Sequence, residues 1–549
     1  MLTRRTFLAS AATAAAASAQ SVDCAVNTVA EWSFTSTRDY ANAFADVELD
    51  VIVRDASGAE SRTPAFWAGD RTWRVRYAPA KPGVHTWRTE ASDPSNAGLH
   101  NQRGSLRAVA YTGANPLYQH GGVRVAPDRR HFEHADSTPF FWLADTWWMG
   151  LVKRLSWPDD FQLLAADRLR KGFTVVQIVA GLYPDMPEHD PRGANEAGFP
   201  YDDAYTRVNP GYFDMADLRI RYLADRGIMP CVVGCWGYYL PILGVEKMKR
   251  HWRYIVARWG AYPVTWCLAG EGSMPYYLSK NRDADVKAQR AGWTELGRYV
   301  RSIDPHRRMI TIHPSSSSRN TVDDPSVVDF DMLQTGHGDR DSIPSTMKLI
   351  TASYDTTPAM PVVNGEVCYE GIQEASRQEI QRFMFWSCML SGAAGHTYGA
   401  NGIWQVNTPE EPFGASPHGR SWGDTPWQTA YRLPGSEQLG LAKALLERYA
   451  WRRIAPHPEW IDPHWSTQNY MQPYCAGIPG ELRIAYFPRT GSVRQRMVNL
   501  EAGVRYKAFW WNAANGKRTD IGPVDTNGAG EWNPPAPPIF QDYVLVLER

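Results

Sequence analysis

The pattern of hydrophobic and polar positions changes twice along the chain and predicts three regions. Residues 22–112 lack helical periodicity and contain short alternating segments such as DVELDVIVRD and TWRVRYAPA. Turn-forming clusters such as Asp-Ala-Ser-Gly and Ala-Lys-Pro-Gly separate these segments. Alternating segments between turns are typical of strands buried on one face, so we predict a small antiparallel β-sandwich for the first region.

The second region, residues 113–455, alternates apolar runs with helical patterns. Apolar runs without a polar face are typical of parallel strands that are covered on both sides. The predicted strands are residues 140–146, 174–180, 229–235, 264–271, 309–314, 329–335, 360–366 and 394–400. This alternation predicts a (β/α)8 barrel. A doubly wound sheet is the alternative, but no Gly-rich phosphate loop follows its first strand.

Three of the intervening helices have clear sequence signals. Residues 156–170, 245–260 and 375–390 have amphipathic patterns. Ser376 and Glu379 have the spacing of a capping box, which predicts the start of the last of these helices. Residues 456–549 return to short strands such as ELRIAYFP and DYVLVLER. The predicted fold class is therefore α/β, a TIM barrel flanked by an N-terminal and a C-terminal β-sandwich domain.

The first 19 residues have the pattern of an export signal. Arg4-Arg5 precede an Ala-rich run, and Ala17-Ser18-Ala19 is typical of a cleavage site. This arrangement resembles a twin-arginine signal, and an ordinary secretory signal is the alternative. Both predict that the mature protein is periplasmic or extracellular. No later run approaches the ~18 apolar residues of a membrane span, so no span is expected.

Composition excludes several classes of protein. Lys+Arg and Asp+Glu number 58 each among 549 residues, so no basic surface for nucleic acid is expected. The seven cysteines are dispersed and odd in number, which argues against a disulfide framework but leaves one bridge open. Cys231 and Cys235 have no matching second pair, which argues against a zinc site. The 23 Trp and 26 Tyr suit both large cores and sugar-binding surfaces.

Two carboxylates occupy strand ends that a barrel would bring together. Glu271 ends the fourth predicted strand and Glu366 ends the seventh. The C-terminal ends of barrel strands meet at one rim, and strands four and seven face each other across it. Carboxylates about 5 Å apart would suit glycoside hydrolysis with retention, one as nucleophile and the other as acid/base. Glu370, which lies in the following loop, is expected to anchor that loop.

Other side chains at the predicted strand ends suit a sugar site. Aromatic rings stack on sugars, and amides, imidazoles and carboxylates bind hydroxyls. The expected substrate-binding residues are Asp145, Trp147, Trp148, Gln177, Trp236, Tyr238, His313, Gln334, His337, His396, Tyr398 and Trp404. The segments 181–210 and 401–435 are expected to shape the pocket. No cofactor or metal is expected, although a metal-dependent hydrolase using the three histidines remains an alternative.

Several segments resemble a known family. FFWLADTWWMGL, VTWCLAGEGS, PVVNGEVCYEGI and AGHTYGANGIWQ are similar, in order and spacing, to the apiosidase-like family of (β/α)8 glycoside hydrolases. AFWAGDRTWRVRYAPAKPGVHTWRTEAS is similar to the sandwich that often precedes such barrels. FWWNAANGK and DYVLVL are similar to a collagen-binding-type β-domain, for which a role packed on the barrel is expected.

The resemblance implies roles for particular residues and a class of substrate. It implies that Glu271 is the acid/base and Glu366 the nucleophile. Many related barrels place Asn before the acid/base, where it binds the sugar 2-hydroxyl; Gly270 stands there, and Gln177 or His337 are expected to replace it. Some members have Asp at the position of Glu271. The best-described family activity releases apiose from pectin side chains, so the expected partner is an oligosaccharide or polysaccharide.

These observations predict an exported retaining glycoside hydrolase acting on side chains of plant or microbial polysaccharides. The alternative from another class is a non-catalytic carbohydrate-binding protein that kept the barrel. The two differ in one observable property, because only the enzyme releases sugar and depends on Glu366 for that release.

Overall fold

The computed structural model describes residues 20–489 and 495–549. Its central element is an eight-stranded parallel sheet. The predicted export signal at residues 1–19 lies outside the described residues. The strands are β1 (Trp142–Trp147), β2 (Val175–Val179), β3 (Met229–Val233), β4 (Thr265–Cys267), β5 (Ile310–Thr311), β6 (Asp331–Gln334), β7 (Val362–Glu366) and β8 (Gly395–Tyr398). Almost every strand residue is buried, as the continuous apolar runs predict.

The order of the strands confirms the predicted barrel class. Neighbours run β5-β4-β3-β2-β1-β8-β7-β6, and the paired strands are parallel. Between the two outer strands, the backbone N–H of Asp329 donates to the carbonyl of Ile310 at 2.7 Å, so the sheet nearly closes. All strands therefore end at one rim, where the side chains that follow them can meet.

Each strand is followed by a helix, which covers the outside of the sheet. The helices are α1 (Asp159–Arg170), α2 (Pro210–Asp225), α3 (Val245–Trp259), α4 (Arg282–Ile303), α5 (Ser318–Thr321), α6 (Ile343–Asp355), α7 (Gln378–Met389) and α8 (Pro434–Leu446). Four short helices are Ala43–Asp46, Pro116–Gln119, Tyr239–Leu243 and Trp427–Ala430.

The predicted capping box before α7 is wrong. The residue before the helix is Arg377, and no side chain caps the helix. Ser376 has φ 52°, a left-handed conformation that turns the chain just before the helix begins. The buried Ser376 hydroxyl therefore does not act as the helix cap.

The N-terminal region forms two sheets packed around an aromatic core. One sheet has the order Gln20–Ala25, Arg103–Val109, Gly83–Ala91, Leu49–Arg54 and Glu60–Pro64; the other has the order Ala30–Thr35, Thr72–Tyr77 and Phe66–Trp67. Trp32, Trp73 and Trp87 fill the space between them. The antiparallel sandwich is confirmed, although its first strand, Gln20–Ala25, pairs in parallel with Arg103–Val109. A small sheet of Val123–Val125, Phe132–His134 and Pro139–Phe140 precedes the barrel.

The C-terminal region is a β-domain that packs on the barrel. Its six-stranded sheet has the order Ala455–Pro456, Tyr474–Ile478, Leu482–Phe487, Tyr543–Glu548, Lys507–Asn512 and Arg518–Pro523, and Ile461–Asp462 pairs with Arg496–Met497. Arg382 on α7 makes two 2.7 Å bonds to Asp542, both partners being buried, which joins this domain to the barrel. Tyr474 and Trp511 extend the barrel core into the domain.

Two predictions about the whole chain can be compared with the structure. All seven cysteines are free, which agrees with the absence of a disulfide framework. Within the described residues, no helix has both the length and the apolar character needed to cross a membrane.

Candidate active site

Glu271 and Glu366 meet at the rim of the barrel through one shared hydrogen-bond donor. The Nε2 of Gln334 donates to Oε1 of Glu271 and to Oε1 of Glu366, at 3.1 Å each. The two carboxylate oxygens are therefore no more than about 6 Å apart, twice 3.1 Å. The predicted convergence of strands four and seven is realised in the structure, with an amide from strand six between them.

A bulge between β6 and β7 brings Gln334 beside Glu366. Leu333 pairs with Asn364, but Gln334 pairs with Glu366, so Gly365 is the extra residue. A Cβ on Gly365 would lie 2.3 Å from Cγ of Met332, so only glycine fits this close approach of the two strands. The Asn-Gly-Glu end of β7 thus sets the position of the carboxylate.

Glu271 has a strained backbone conformation. Trp236 packs beside it in space that is left free by the absence of a side chain on Gly270. The φ of Glu271 is 42°, a conformation uncommon outside glycine and often found at functional sites. Trp236 Nε1 donates to Glu271 Oε2 at 3.3 Å. A Cβ on Gly270 would lie 2.2 Å from the Trp236 ring. The glycine that replaces the expected Asn therefore makes room for this tryptophan.

Glu366 is held as a carboxylate by two histidines. His337 Nε2 forms a 2.7 Å hydrogen bond to Oε1, and His313 Nε2 lies 3.1 Å from Oε2. Burial alone would raise the pKa of Glu366, but contact with His313 and His337 outweighs it and holds the pKa well below 4.5, the ordinary value. An ionised carboxylate at the end of β7 is suited to nucleophilic attack.

The pKa of Glu271 is shifted in the opposite direction to that of Glu366. Burial raises the pKa of Glu271 to about 7, and the charge of Glu366 adds to the rise. The hydrogen bond from Gln334 and the nearby His313 act in the other direction. Two carboxyl groups whose surroundings push their pKa values apart are what acid/base chemistry at neutral pH requires, with Glu271 as the proton donor.

The pair lies in a cavity of about 320 Å³ with largely aromatic walls. Besides the two glutamates, five of the expected residues line it: Trp148, Trp236, Gln334, His337 and Trp404. The Trp148 and Trp236 rings lie 5.4 Å apart, and His337 stacks on Tyr369 at 4.7 Å. Such faces suit the apolar surfaces of a sugar ring.

The structure corrects the expectation of direct sugar contact for four residues on β1 and β8. Asp145 forms an ion pair at 2.5 Å with Arg168 of α1, and Trp147 donates to Asp145 at 2.8 Å. His396 lies against Phe385 of α7, with ring centroids 5.5 Å apart. Tyr398 donates to Glu370 at 2.5 Å. Alternate residues of a barrel strand face the helices, and these four have that orientation.

Three further expected residues are also buried outside the cavity lining. Gln177 donates across the barrel to the carbonyl of Gly365 at 2.7 Å, whereas His337, the other residue expected at the sugar 2-hydroxyl, lines the cavity. Tyr238 donates to the carbonyl of Tyr183 at 2.8 Å. His313 does not line the cavity, but its ring nitrogens lie beside the Glu366 carboxylate and the Glu271 backbone N–H. All three expectations of direct sugar contact are therefore corrected.

Glu370 lies outside the cavity as an anchor of the loop that follows β7. It is fully buried and accepts from the backbone N–H of Gly435, at the start of α8, at 3.0 and 3.1 Å. Burial raises its pKa, opposed by the Tyr398 hydroxyl. This placement agrees with the role expected from the sequence.

The structure adds cavity residues that the sequence did not single out for chemistry. They are Asp185, Tyr277, Tyr369, His418 and Trp422. All lie in loops, several residues beyond the strand ends. Trp404, His418 and Trp422 come from the segment 401–435, and Asp185 from the segment 181–210, so both segments shape the cavity. The density of aromatic residues in these loops was the available signal.

No metal centre is formed by the predicted histidines. Among residues 20–489 and 495–549, no group of three or more His, Cys, Asp and Glu side chains has an arrangement suited to a metal ion. His313 and His337 both contact Glu366, whereas His396 faces α7.

Three family models match separate parts of the chain. Residues 126–453 match the model described as "Apiosidase-like, catalytic domain". Residues 25–92 match a domain of unknown function, DUF5060, and residues 470–548 match a model described as "Putative collagen-binding domain of a collagenase". The barrel match includes both Glu271 and Glu366. No curated protein matches the chain significantly.

Solved structures similar to this chain have the same fold. One described as a glycoside hydrolase has a TM-score of 0.65 and 22% identity, covering 80% of this chain and 98% of that one. A glycoside hydrolase family 5 protein from Bacteroides vulgatus has a TM-score of 0.66 and 22% identity, covering 80% and 95%. At this identity the similarity establishes the fold alone. Because the catalytic-domain model spans more than half of the residues, the chain belongs to the apiosidase-like family of glycoside hydrolases.

Proposed function

We propose that the protein is an exported retaining glycoside hydrolase that uses Glu366 as nucleophile and Glu271 as acid/base. The observation that carries the proposal is the amide of Gln334 bonded to both carboxylates at 3.1 Å. The resulting separation of no more than about 6 Å fits the ~5 Å of retaining enzymes better than the ~6.5–9.5 Å of inverting ones, which must admit a water. The arginine pair in the predicted signal supports export.

The reaction would proceed in two displacements. Oxygen of Glu366 attacks the anomeric carbon, the bond to the leaving oxygen breaks, and Glu271 gives its proton to that oxygen. Glu271, now ionised, removes a proton from water. The water oxygen attacks the same carbon, and Glu366 leaves as a carboxylate. The cavity aromatics and His337 are proposed to hold the sugar.

The proposed substrates are side chains of plant or microbial polysaccharides. Family membership and the aromatic cavity support this class. The test is a screen of the purified protein on pectin-derived and arabinan-type oligosaccharides, with identification of the released sugar. Release of a defined sugar by the wild type, and none by Glu366→Gln, supports the enzyme. Tight binding without release by either protein would favour a carbohydrate-binding protein instead.

The rate is predicted to fall as pH rises through about 7. Glu271 must be protonated to donate, and its pKa is raised to about 7. Glu366 must be ionised, and because its pKa is lowered, the acid limb is expected well below pH 4.5. The pH dependence of kcat/KM reports both groups in the free enzyme, as apparent values of the coupled pair.

A matched variant and a direct titration test this assignment. Glu481→Gln, which removes an exposed carboxylate in the C-terminal domain, should leave the basic limb unchanged. Glu366→Gln removes the neighbouring charge, so the pKa of Glu271 should decrease in a titration followed by carbon NMR. A basic limb that persists in Glu271→Gln would contradict the assignment.

A further inference from the structure

Asp185 is a third carboxylate in the cavity, fixed by a reciprocal pair of hydrogen bonds. It follows β2 and has φ 56°, a left-handed conformation. The Tyr277 hydroxyl donates to Asp185 Oδ1 at 2.9 Å and accepts from the Asp185 backbone N–H at 3.1 Å. These bonds join the loops after β2 and β4, and both residues line the same cavity as the two glutamates.

Trp422 presents an unused donor to the same carboxylate. Burial raises the pKa of Asp185, whereas Tyr277 and Trp422 each lower it. The lowering by Trp422 is that of a hydrogen bond, so its indole N–H is directed at the Asp185 carboxylate. Its Nε1–H is nevertheless buried without an aligned acceptor among the described residues. On the Asp185 side, the hydrogen bond from Tyr277 reaches Oδ1 alone.

The Trp422 ring is held in place by its neighbours. The guanidinium of Arg420 lies 4.1 Å from the ring centroid, and the His337 ring lies 6.4 Å away. His418, from the same segment, lies 5.0 Å from the Tyr277 ring. The wall around Asp185 is therefore built from the segments that follow β2, β4 and β8. A wall from three separate segments is typical of a built binding site.

A hydroxyl group placed between Asp185 and Trp422 can bond to both residues, because it donates one hydrogen and accepts another. It can donate to Asp185 Oδ2 and accept from Trp422 Nε1. A buried donor without an acceptor destabilises the site, so a ligand that supplies the missing partner gains affinity. A sugar in the cavity carries several hydroxyls beside the carbon that Glu366 attacks.

We propose that Asp185 and Trp422 bind one and the same hydroxyl of the sugar held in the cavity, with Tyr277 fixing the carboxylate. This inference rests on the proposed function and makes the segment 401–435 part of the sugar-binding site. The pair selects sugars that have a free hydroxyl at this position and rejects those in which it is absent or substituted.

The test uses Asp185→Asn, Trp422→Phe and the double variant, with 4-nitrophenyl glycosides of neutral pentoses and hexoses in both anomers. Each single variant should lower kcat/KM by about 10- to 100-fold, mainly through KM. Because both residues bind one hydroxyl, the double variant should lose much less than the product of the two single effects. Asp203→Asn, an exposed residue of the segment 181–210, and Trp465→Phe, in the C-terminal domain, serve as controls.

Single effects within twofold of the wild type, or a double variant equal to the product of the singles, would overturn the inference. If Asp185→Asn does not fold, as judged by its melting temperature, Trp422→Phe alone decides by the same twofold limit. If the wild type hydrolyses none of the glycosides, the proposed function fails separately. Calorimetry with the corresponding methyl glycosides then decides: binding that Asp185→Asn loses supports the inference, and equal or absent binding contradicts it.

Discussion

Replacing Glu366 with Ala is expected to lower kcat by about 10⁴-fold or more, because the reaction loses the atom that attacks the anomeric carbon. The Glu366 carboxylate is buried, accepts hydrogen bonds from Gln334 and His337, and has a pKa held well below 4.5. Azide can enter the space that the side chain leaves. It should restore part of the rate and give a glycosyl azide whose configuration is opposite to that of the substrate.

The measurement combines steady-state kinetics with identification of the azide product by NMR. Glu374→Gln, an exposed position in the loop that follows β7, should keep the wild-type rate. A Glu366→Ala variant with near-normal turnover would contradict the assignment. An azide product of unchanged configuration would contradict it as well.

The loss of kcat/KM on replacing Glu271 with Gln is expected to depend on the leaving group of the substrate. Loss of the proton donor should lower kcat/KM by about 10²- to 10⁴-fold on oligosaccharides, whose leaving alcohols need a proton. On 2,4-dinitrophenyl glycosides, whose leaving group needs none, kcat/KM should change little. The basic limb of the pH profile should disappear, because the group with a pKa of about 7 is gone.

The measurement is kcat/KM of wild type and Glu271→Gln on oligosaccharides and on 2,4-dinitrophenyl glycosides in parallel. Asp283→Asn, an exposed carboxylate at the start of α4, is the control and should leave both classes unchanged. Equal losses on both classes would show that Glu271 supports the structure rather than transferring a proton. Azide should give a product of retained configuration with Glu271→Ala, the reverse of the result with Glu366→Ala.

The meeting of Glu271 and Glu366 at the rim was predictable because its signals are local. In each case an apolar run ends in glycine and then glutamate, and barrel geometry brings the ends of strands four and seven together. The same logic selected Gln334, at the end of strand six, and His337, just beyond it, and both line the cavity. The sequence did not show that Gln334 bonds both carboxylates, because that depends on the bulge at Gly365.

Direct sugar contact was wrongly expected for four residues of β1 and β8 because alternate side chains of a strand point to opposite faces of the sheet. Asp145 and Trp147 are two residues apart on β1, and His396 and Tyr398 are two apart on β8. Residues two apart on a strand share one face, and in both strands that face is turned to the helices. When both faces of a strand carry large polar side chains, the sequence alone does not show which face points into the barrel and which points to the helices.

Asp185 was missed for a different reason, and Trp422 was expected only as part of the pocket-shaping segment 401–435. Both lie in long loops, whose course depends on contacts between segments distant in sequence. The bond from Tyr277 to Asp185 joins residues 92 positions apart. No local pattern encodes such a contact, whereas the strands that support these loops follow from hydrophobic periodicity.

The configuration of the first product tests the central claim most directly. Proton NMR during hydrolysis of the best oligosaccharide in the screen distinguishes the two anomers before they interconvert. Double displacement by Glu366 and Glu271 predicts that the first sugar released has the same anomeric configuration as the substrate. Initial release of the opposite anomer would contradict the proposed roles of both glutamates.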